Sequence, residues 1–240
     1  MSERIIQEKG GTRMVAHRGL SGIETENTLA AFIAAGNRSY FGIETDVHVT
    51  ADGKLVCIHD DDTHRVCGEH HIVEETDFEA LRALTLIDRE SGAPRIDLKI
   101  PTLREYIRAC RRYDKTAVLE LKNPFEERFV LQVIGEIREE GWLERVVFIS
   151  FSWENMLILR RLLPEAACQF LTSKWDDGLP ERLKAHALDL DIDYRALTQA
   201  RIAALHEAGV KVNCWTCDDR AQAERLIAWD ADMITSNILE

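Results

Sequence analysis

Stretches that read as strands alternate with stretches that read as helices along nearly the whole chain, and this alternation restricts the fold more than any other feature. Strand-like runs occur at "MVAHRG" (14–19), 41–49, 54–59, "AVLELK" (117–122), "RVVFISF" (145–151), "ACQFLT" (167–172), "ALDLDID" (187–193), "VKVNCW" (210–215) and "ADMITS" (231–236). Helical periodicity falls between them, at "ENTLAAFIAAG", at "TLREYIRACRRY" after Pro101, and at 126–140, 153–163, 179–186, 195–208 and 218–229. Repeated βα units favour a largely parallel sheet. The two runs within 41–59 flank Asp52-Gly53, a hairpin signal that interrupts the alternation. With one member of that hairpin as an accessory, the remaining eight strands predict a (β/α)8 TIM barrel. A doubly wound open sheet is the competitor, but the chain carries no GxGxxG or Walker loop. No Pro/Gly/Ser-rich linker or internal repeat divides it, so residues 1–240 are read as one domain. Residues 61–100 are polar and irregular apart from "DFEALRAL", and are expected to form a small insertion above the sheet.

Composition narrows the setting. With 45% hydrophobic and 30% charged residues the chain is of the soluble globular type. No run approaches the ~20 apolar residues of a membrane span, and the opening "MSERIIQEKGG" has no apolar stretch resembling a signal peptide. A cytoplasmic protein without membrane insertion is expected. A net charge of −12 opposes binding to nucleic acid or anionic membranes, so an anionic small substrate needs a locally inverted field. No helix face marks out an oligomer. The six cysteines, at 57, 67, 110, 168, 214 and 217, are scattered through a chain that needs no disulfide staples, and reduced thiols are expected. Cys214 and Cys217 form a CxxC, but at a strand-to-loop junction rather than at a helix start, which favours ordinary buried thiols over a redox or zinc pair. The group Cys57, His59, His64, Cys67, His70 and His71 matches no standard zinc spacing.

The stretch "FGIETDVHVTADG" carries the first chemical signal. Side chains alternate across a strand, so Glu44, Asp46 and His48 share one face. Buried carboxylates need a cation or a basic partner. In a barrel, functional groups gather at the C-terminal ends of the strands. His17 and Arg18 end the first strand, His59 and Asp60 the third, Glu120 and Lys122 close "LELK", Ser150 closes "FIS", and Trp215 closes "VNCW". Three carboxylates, Glu44, Asp46 and Glu120, are hard oxygen ligands of the kind that suits Mg2+ or Ca2+. An ion-pair network without metal is the alternative, but Arg18 and Lys122 are two cations for three carboxylates. His17 and His59 can act as a base and an acid near neutral pH, with Asp60 or another neighbour orienting one ring. His48 stays open as a site residue because it shares the carboxylate face. The histidines at 64, 70, 71, 186 and 206 are read as structural.

The order "AHRG", "ENT", "IETDVHVTADGKLVCIHD", "IPTL", "LELK", "ISF", "WT" and "ITSN" resembles that of the glycerophosphodiester phosphodiesterases over nearly the whole chain. The resemblance implies a (β/α)8 barrel hydrolysing small-molecule glycerophosphodiesters, such as glycerophosphocholine or glycerophosphoethanolamine, to glycerol 3-phosphate and an alcohol. It implies metal ligands at Glu44, Asp46 and Glu120 and catalytic histidines at His17 and His59. Arg18 and Lys122 would then hold phosphate oxygens, and Trp215 would pack against the glycerol. Arg65 also matches a family arginine, although "VCG" after it departs from the pattern. Many members carry Asn three residues after the tryptophan and Asp near the end of the last strand. Those places hold Asp218 and Asn237 here, an arrangement that looks like that of the related venom phospholipases D. The exchange is expected to bear on substrate choice at the pocket border and to leave the metal and histidine groups untouched. A lysophospholipase D would require an apolar surface, which "FSWENMLILRRLL" or "SKWDDGL" could supply, although the first fits an ordinary amphipathic helix on the barrel. A non-catalytic phosphodiester- or metal-binding barrel is opposed by the intact His17, His59, Glu44, Asp46 and Glu120.

Overall fold

The structure, a computed structural model, describes residues 5, 6 and 8–240; the opening from which the lack of a leader is read lies partly outside them. Among the described residues nine strands form one sheet: β1 (Arg13–Ala16), β2 (Gly42–Val49), β3 (Leu55–Cys57), β4 (Thr116–Leu121), β5 (Val146–Ser150), β6 (Ala167–Thr172), β7 (Asp189–Asp193), β8 (Val212–Trp215) and β9 (Met233–Ser236). All but β3 run parallel, in the order β1-β9-β8-β7-β6-β5-β4-β2, and the pairing of Val15 with Gly42 and of Ala16 with Ile43 closes the ring. This is the (β/α)8 barrel that the alternation predicts.

Period-two alternation divides each strand between two environments. Ile43, Val47, Leu119, Leu121 and Phe148 face outward into the main core, against the helical layer. Val15, Val118, Val147, Ile149, Leu171 and Met233 form a smaller apolar cluster with Trp215 packed on it. The helices between strands are α1 (Leu29–Gly36), α4 (Leu103–Arg112), α5 (Glu127–Glu139), α6 (Trp153–Leu162), α7 (Leu179–Ala185), α8 (Gln199–Glu207) and α9 (Arg220–Ala228). α1 is capped by Thr28, whose hydroxyl accepts from the Ala31 N–H. Thr102 and Glu105 form a reciprocal capping box on α4. None of these helices is long and apolar enough to cross a membrane.

β3 lies outside the ring, antiparallel to the end of β2, with Val47 opposite Cys57 and Val49 opposite Leu55. The hairpin returns the chain to the level of Asp46, whose carbonyl accepts from the Ile58 N–H at 3.0 Å. The strand expected to reach residue 59 therefore stops at Cys57, and His59 stands in the turn over the barrel mouth. Residues 61–100 depart further from the expectation of an irregular insertion. They include α2 (His64–Cys67) besides α3 (Phe78–Ala83), which lies within the expected "DFEALRAL". Val66, Val73, Leu81, Leu84, Leu86, Leu98 and Ile100 make a core of their own with Val56 and Ile58. Scattered apolar residues without a clear period concealed it.

Candidate active site

A cavity of about 170 Å3 opens at the C-terminal end of the barrel. Its charged and imidazole lining is His17, Arg18, Glu44, His59, Glu120 and Lys122, with Asp191. Ile149, Phe151, Leu171 and Trp215 also line it, with Thr216 and Thr235. The sequence-derived site residues thus converge, with Asp46 buried behind the cavity wall.

The "ENT" and "AHRG" motifs resolve into separate tasks. Arg18 Nη1 donates to Glu26 Oε1 at 2.9 Å, Asn27 Nδ2 donates to Asp46 Oδ2 at 2.7 Å, and Thr28 caps α1. The Arg18 backbone N–H donates to Glu44 Oε2 at 2.7 Å, and the Gly19 N–H to the Glu44 carbonyl at 3.2 Å. Gly19 has φ +75°, and a Cβ there would lie 2.7 Å from the carbonyl carbon of Ala31. Gly19→Ala is therefore expected to lower stability by roughly 2–4 kcal/mol, summing left-handed strain and backbone overlap. A urea midpoint equal to that of the parent protein would contradict this.

Glu44, Asp46 and Glu120 each offer an oxygen within 4.8 Å of the others. Lys122 Nζ stands 3.1 Å from Glu120 Oε1 and 3.6 Å from Asp46 Oδ1, and Arg18 Nε stands 3.6 Å from Asp46 Oδ2. Both cations thus serve Asp46, and Arg18 is shared with Glu26. Burial would raise Asp46, but Arg18 and Lys122 hold it at about 2. Burial and the neighbouring Asp46 push Glu120 up to about 8. Burial, Asp46 and then Glu120 push Glu44 well above the usual carboxylate range. When all three carboxylates are ionised their charge, with that of Glu26, exceeds what Arg18 and Lys122 neutralise. A buried, all-oxygen donor set of this kind fits a hard divalent cation, which would favour the ionised forms.

Each histidine is fixed by its Nδ1. His59 Nδ1 lies 2.7 Å from Asp60 Oδ1, and Arg65 Nε donates to Asp60 Oδ2 at 2.6 Å. A carboxylate only accepts, so Nδ1 carries the proton and Nε2 is left bare in the neutral ring. His17 Nδ1 lies 2.8 Å from Asn237 Oδ1. The Asn237 amide nitrogen donates to Asp218 Oδ2 at 2.6 Å, which turns the amide oxygen towards His17 and assigns the proton to Nδ1 there too. His17 Nε2 then points towards Glu44 Oε2, 4.0 Å away. Burial, reinforced by Arg18, lowers His17 to about 4, and burial also lowers His59.

Asn237 thus bonds directly to a candidate catalytic ring, which corrects the expectation that the exchange at 218 and 237 leaves the histidines untouched. Residues 17 and 237 meet because β1 and β9 are neighbours in the ring, with the His17 N–H donating to the Ser236 carbonyl at 2.9 Å. His48 is fully buried outside the cavity lining, 3.4 Å from both Glu74 Oε1 and the His59 carbonyl. Ser150 bonds the Leu121 carbonyl and is structural. All six thiols are free and buried. Sequence reasoning passed over Glu26 and Asp191. Glu26 stood beside a legible helix start, and Asp191 shared a face with two other aspartates of "LDLDID". Burial and Glu120 raise Asp191 well above the usual range.

The model of the glycerophosphoryl diester phosphodiesterase family matches residues 17–239. The chain is 27% identical to a glycerophosphodiester phosphodiesterase of Bacillus subtilis (strain 168), over 93% of this chain and 82% of the relative. It is 29% identical to a glycerophosphodiester phosphodiesterase of Caldanaerobacter subterraneus subsp. tengcongensis, over 94% of each. Among solved structures, that of an Oleispira antarctica phosphodiesterase in complex with the product sn-glycerol-3-phosphate superposes with a TM-score of 0.86 at 28% identity, over 94% of this chain and 92% of that one.

Proposed function

The chain belongs to the glycerophosphoryl diester phosphodiesterase family, and from that premise we propose that it hydrolyses glycerophosphodiesters to glycerol 3-phosphate and an alcohol, with a divalent cation held by Glu44, Asp46 and Glu120. The observation that carries this reading is a pair of histidines, each held through Nδ1, at one cavity with three carboxylates, Arg18 and Lys122. Mg2+ and Ca2+ both suit the oxygen donors.

Arg18 and Lys122 provide local positive charge for the substrate phosphate in a protein of net charge −12. His17 takes the proton of the substrate's 2-hydroxyl at its bare Nε2, and that oxygen attacks phosphorus. The P–O bond to the alcohol breaks, and His59 gives the departing oxygen its proton. A cyclic phosphate results, and water opens it with the two roles reversed. Burial and the neighbouring Arg18 keep the His17 ring neutral, whereas the Asp60 carboxylate favours an imidazolium at His59, so His17 is the base and His59 the acid. A bound cation supplies Lewis-acid stabilisation of charge on the phosphoryl oxygens. Trp215 packs against the glycerol carbons.

The test is release of glycerol 3-phosphate from glycerophosphocholine with Mg2+ or Ca2+, beside choline release from lysophosphatidylcholine. Turnover of the soluble diester is expected. Turnover of the lysolipid alone would move the assignment to a lysophospholipase D, and cation binding without turnover of either would leave a binding barrel.

A further inference from the structure

Asp191 is a buried carboxyl for which the proposed reaction has no task. It sits on β7, is 2% exposed and lines the cavity, and its Oδ1 has no hydrogen-bond partner among the described residues. Its register neighbour Asn213 is already engaged. Asn213 Nδ2 donates to Gln169 Oε1 at 3.3 Å, and its Oδ1 accepts from Thr235 Oγ1 at 3.2 Å. The nearby cations are taken by Glu26, Asp46 and Glu120. A buried polar atom without a partner is costly and rare, and in a cavity it marks where a ligand's polar group is received.

A second orphan lines the same cavity. Trp215, two residues beyond Asn213 on β8, has a buried indole Nε1 that likewise lacks a partner among the described residues. One group accepts and the other only donates. A hydroxyl satisfies both, because it gives its hydrogen to the carboxyl and receives one from the indole. A quaternary ammonium has no hydrogen to give and no lone pair to receive one, and the oxygens of a phosphodiester only accept, which leaves the acceptor capacity of the Asp191 carboxyl unmet. Ile149, Phe151 and Leu171 beside them suit short CH2 groups.

We propose that Asp191, together with the Trp215 indole N–H, determines specificity by holding the free terminal hydroxyl of the substrate's glycerol, the one that neither attacks nor carries phosphate. The inference rests on the phosphodiesterase reading above and extends it. An acyl chain on that hydroxyl removes the hydrogen that Asp191 accepts, so lysophospholipids are disfavoured by the same contact.

The experiment compares kcat/KM for glycerophosphocholine with that for 2-hydroxypropyl phosphocholine, which keeps the attacking hydroxyl and lacks the terminal one. The parent protein is expected to prefer the first by about 100-fold or more, since sites built to bond a hydroxyl strongly reject analogues without it. Asp191→Ala should collapse that ratio to near one, and Asp191→Asn, which can still bond a hydroxyl, should restore most of it. A ratio unchanged in Asp191→Ala, or a change that follows the head group when choline is replaced by ethanolamine, overturns the inference. If the parent turns over neither diester, the phosphodiesterase reading falls by itself. Calorimetric binding of sn-glycerol 3-phosphate against 2-hydroxypropyl phosphate then decides the subsite, with equal affinities counting against it.

Discussion

His17→Ala and His59→Ala are each expected to reduce kcat on glycerophosphocholine by roughly 100- to 10,000-fold, the range supplied by one positioned acid or base. Neither ring belongs to the apolar cores, and both line the cavity. The melting temperature should therefore move little. The two variants separate when the leaving group changes. A glycerophosphodiester that releases p-nitrophenolate needs no proton on the departing oxygen, so His59→Ala should recover most of its activity on it. His17→Ala should stay slow, since the attacking hydroxyl still has to lose its proton. The opposite pattern would exchange the two roles, and near-parental rates in either variant on both substrates would remove that histidine from the reaction.

The cation makes the second large prediction, and its sign depends on the buffer. Without divalent cations the parent protein holds Glu44, Asp46 and Glu120 within a few ångströms of one another in a buried place. Burial and Asp46 hold Glu120 at about 8, so above the ordinary carboxylate range it must either stay protonated or ionise at a cost. Glu120→Gln, which keeps its shape, should therefore melt higher than the parent near pH 7 after EDTA treatment. At a cation concentration about 100 times Kd, the parent gains roughly 2.7 kcal/mol from ligation. For a chain of this size that is an upward shift of about 5–10 °C. Glu120→Gln loses a ligand and should forgo most of it, so the order of the two melting curves inverts. Chelation should also abolish phosphodiester turnover, with recovery on adding Mg2+ or Ca2+. Coincident melting curves for the parent with and without cation would argue for an ion-pair network closed by Arg18 and Lys122 alone.

Local periodicity and short motifs made much of this molecule legible. The alternation of strand and helix patterns leads to the barrel because each βα unit follows from patterning within some thirty residues. Glu44 and Asp46 share a face by the period of one strand, and His17, Arg18, Glu120 and Lys122 stand at or just past strand ends, where barrels carry function. Boundaries were less legible. The end of β3 depended on how far the hairpin pairs with β2, and the core under residues 61–100 depended on packing against Val56 and Ile58 rather than on any period of its own.

The set of chemical groups and the architecture that presents them follow from the order of residues along the chain. Which of those groups meet follows from the closed barrel alone. Asn237 is 220 residues from the ring it bonds, and that contact exists because β9 closes the barrel beside β1. The "LDLDID" strand places Asp189, Asp191 and Asp193 on one face, but the pattern cannot say at what height each will stand. Asp193 is drawn into a pair with Arg195, whereas Asp191 is left facing the cavity without a partner. Barrel closure and strand register determine that height, and both come from pairings spread over the whole chain.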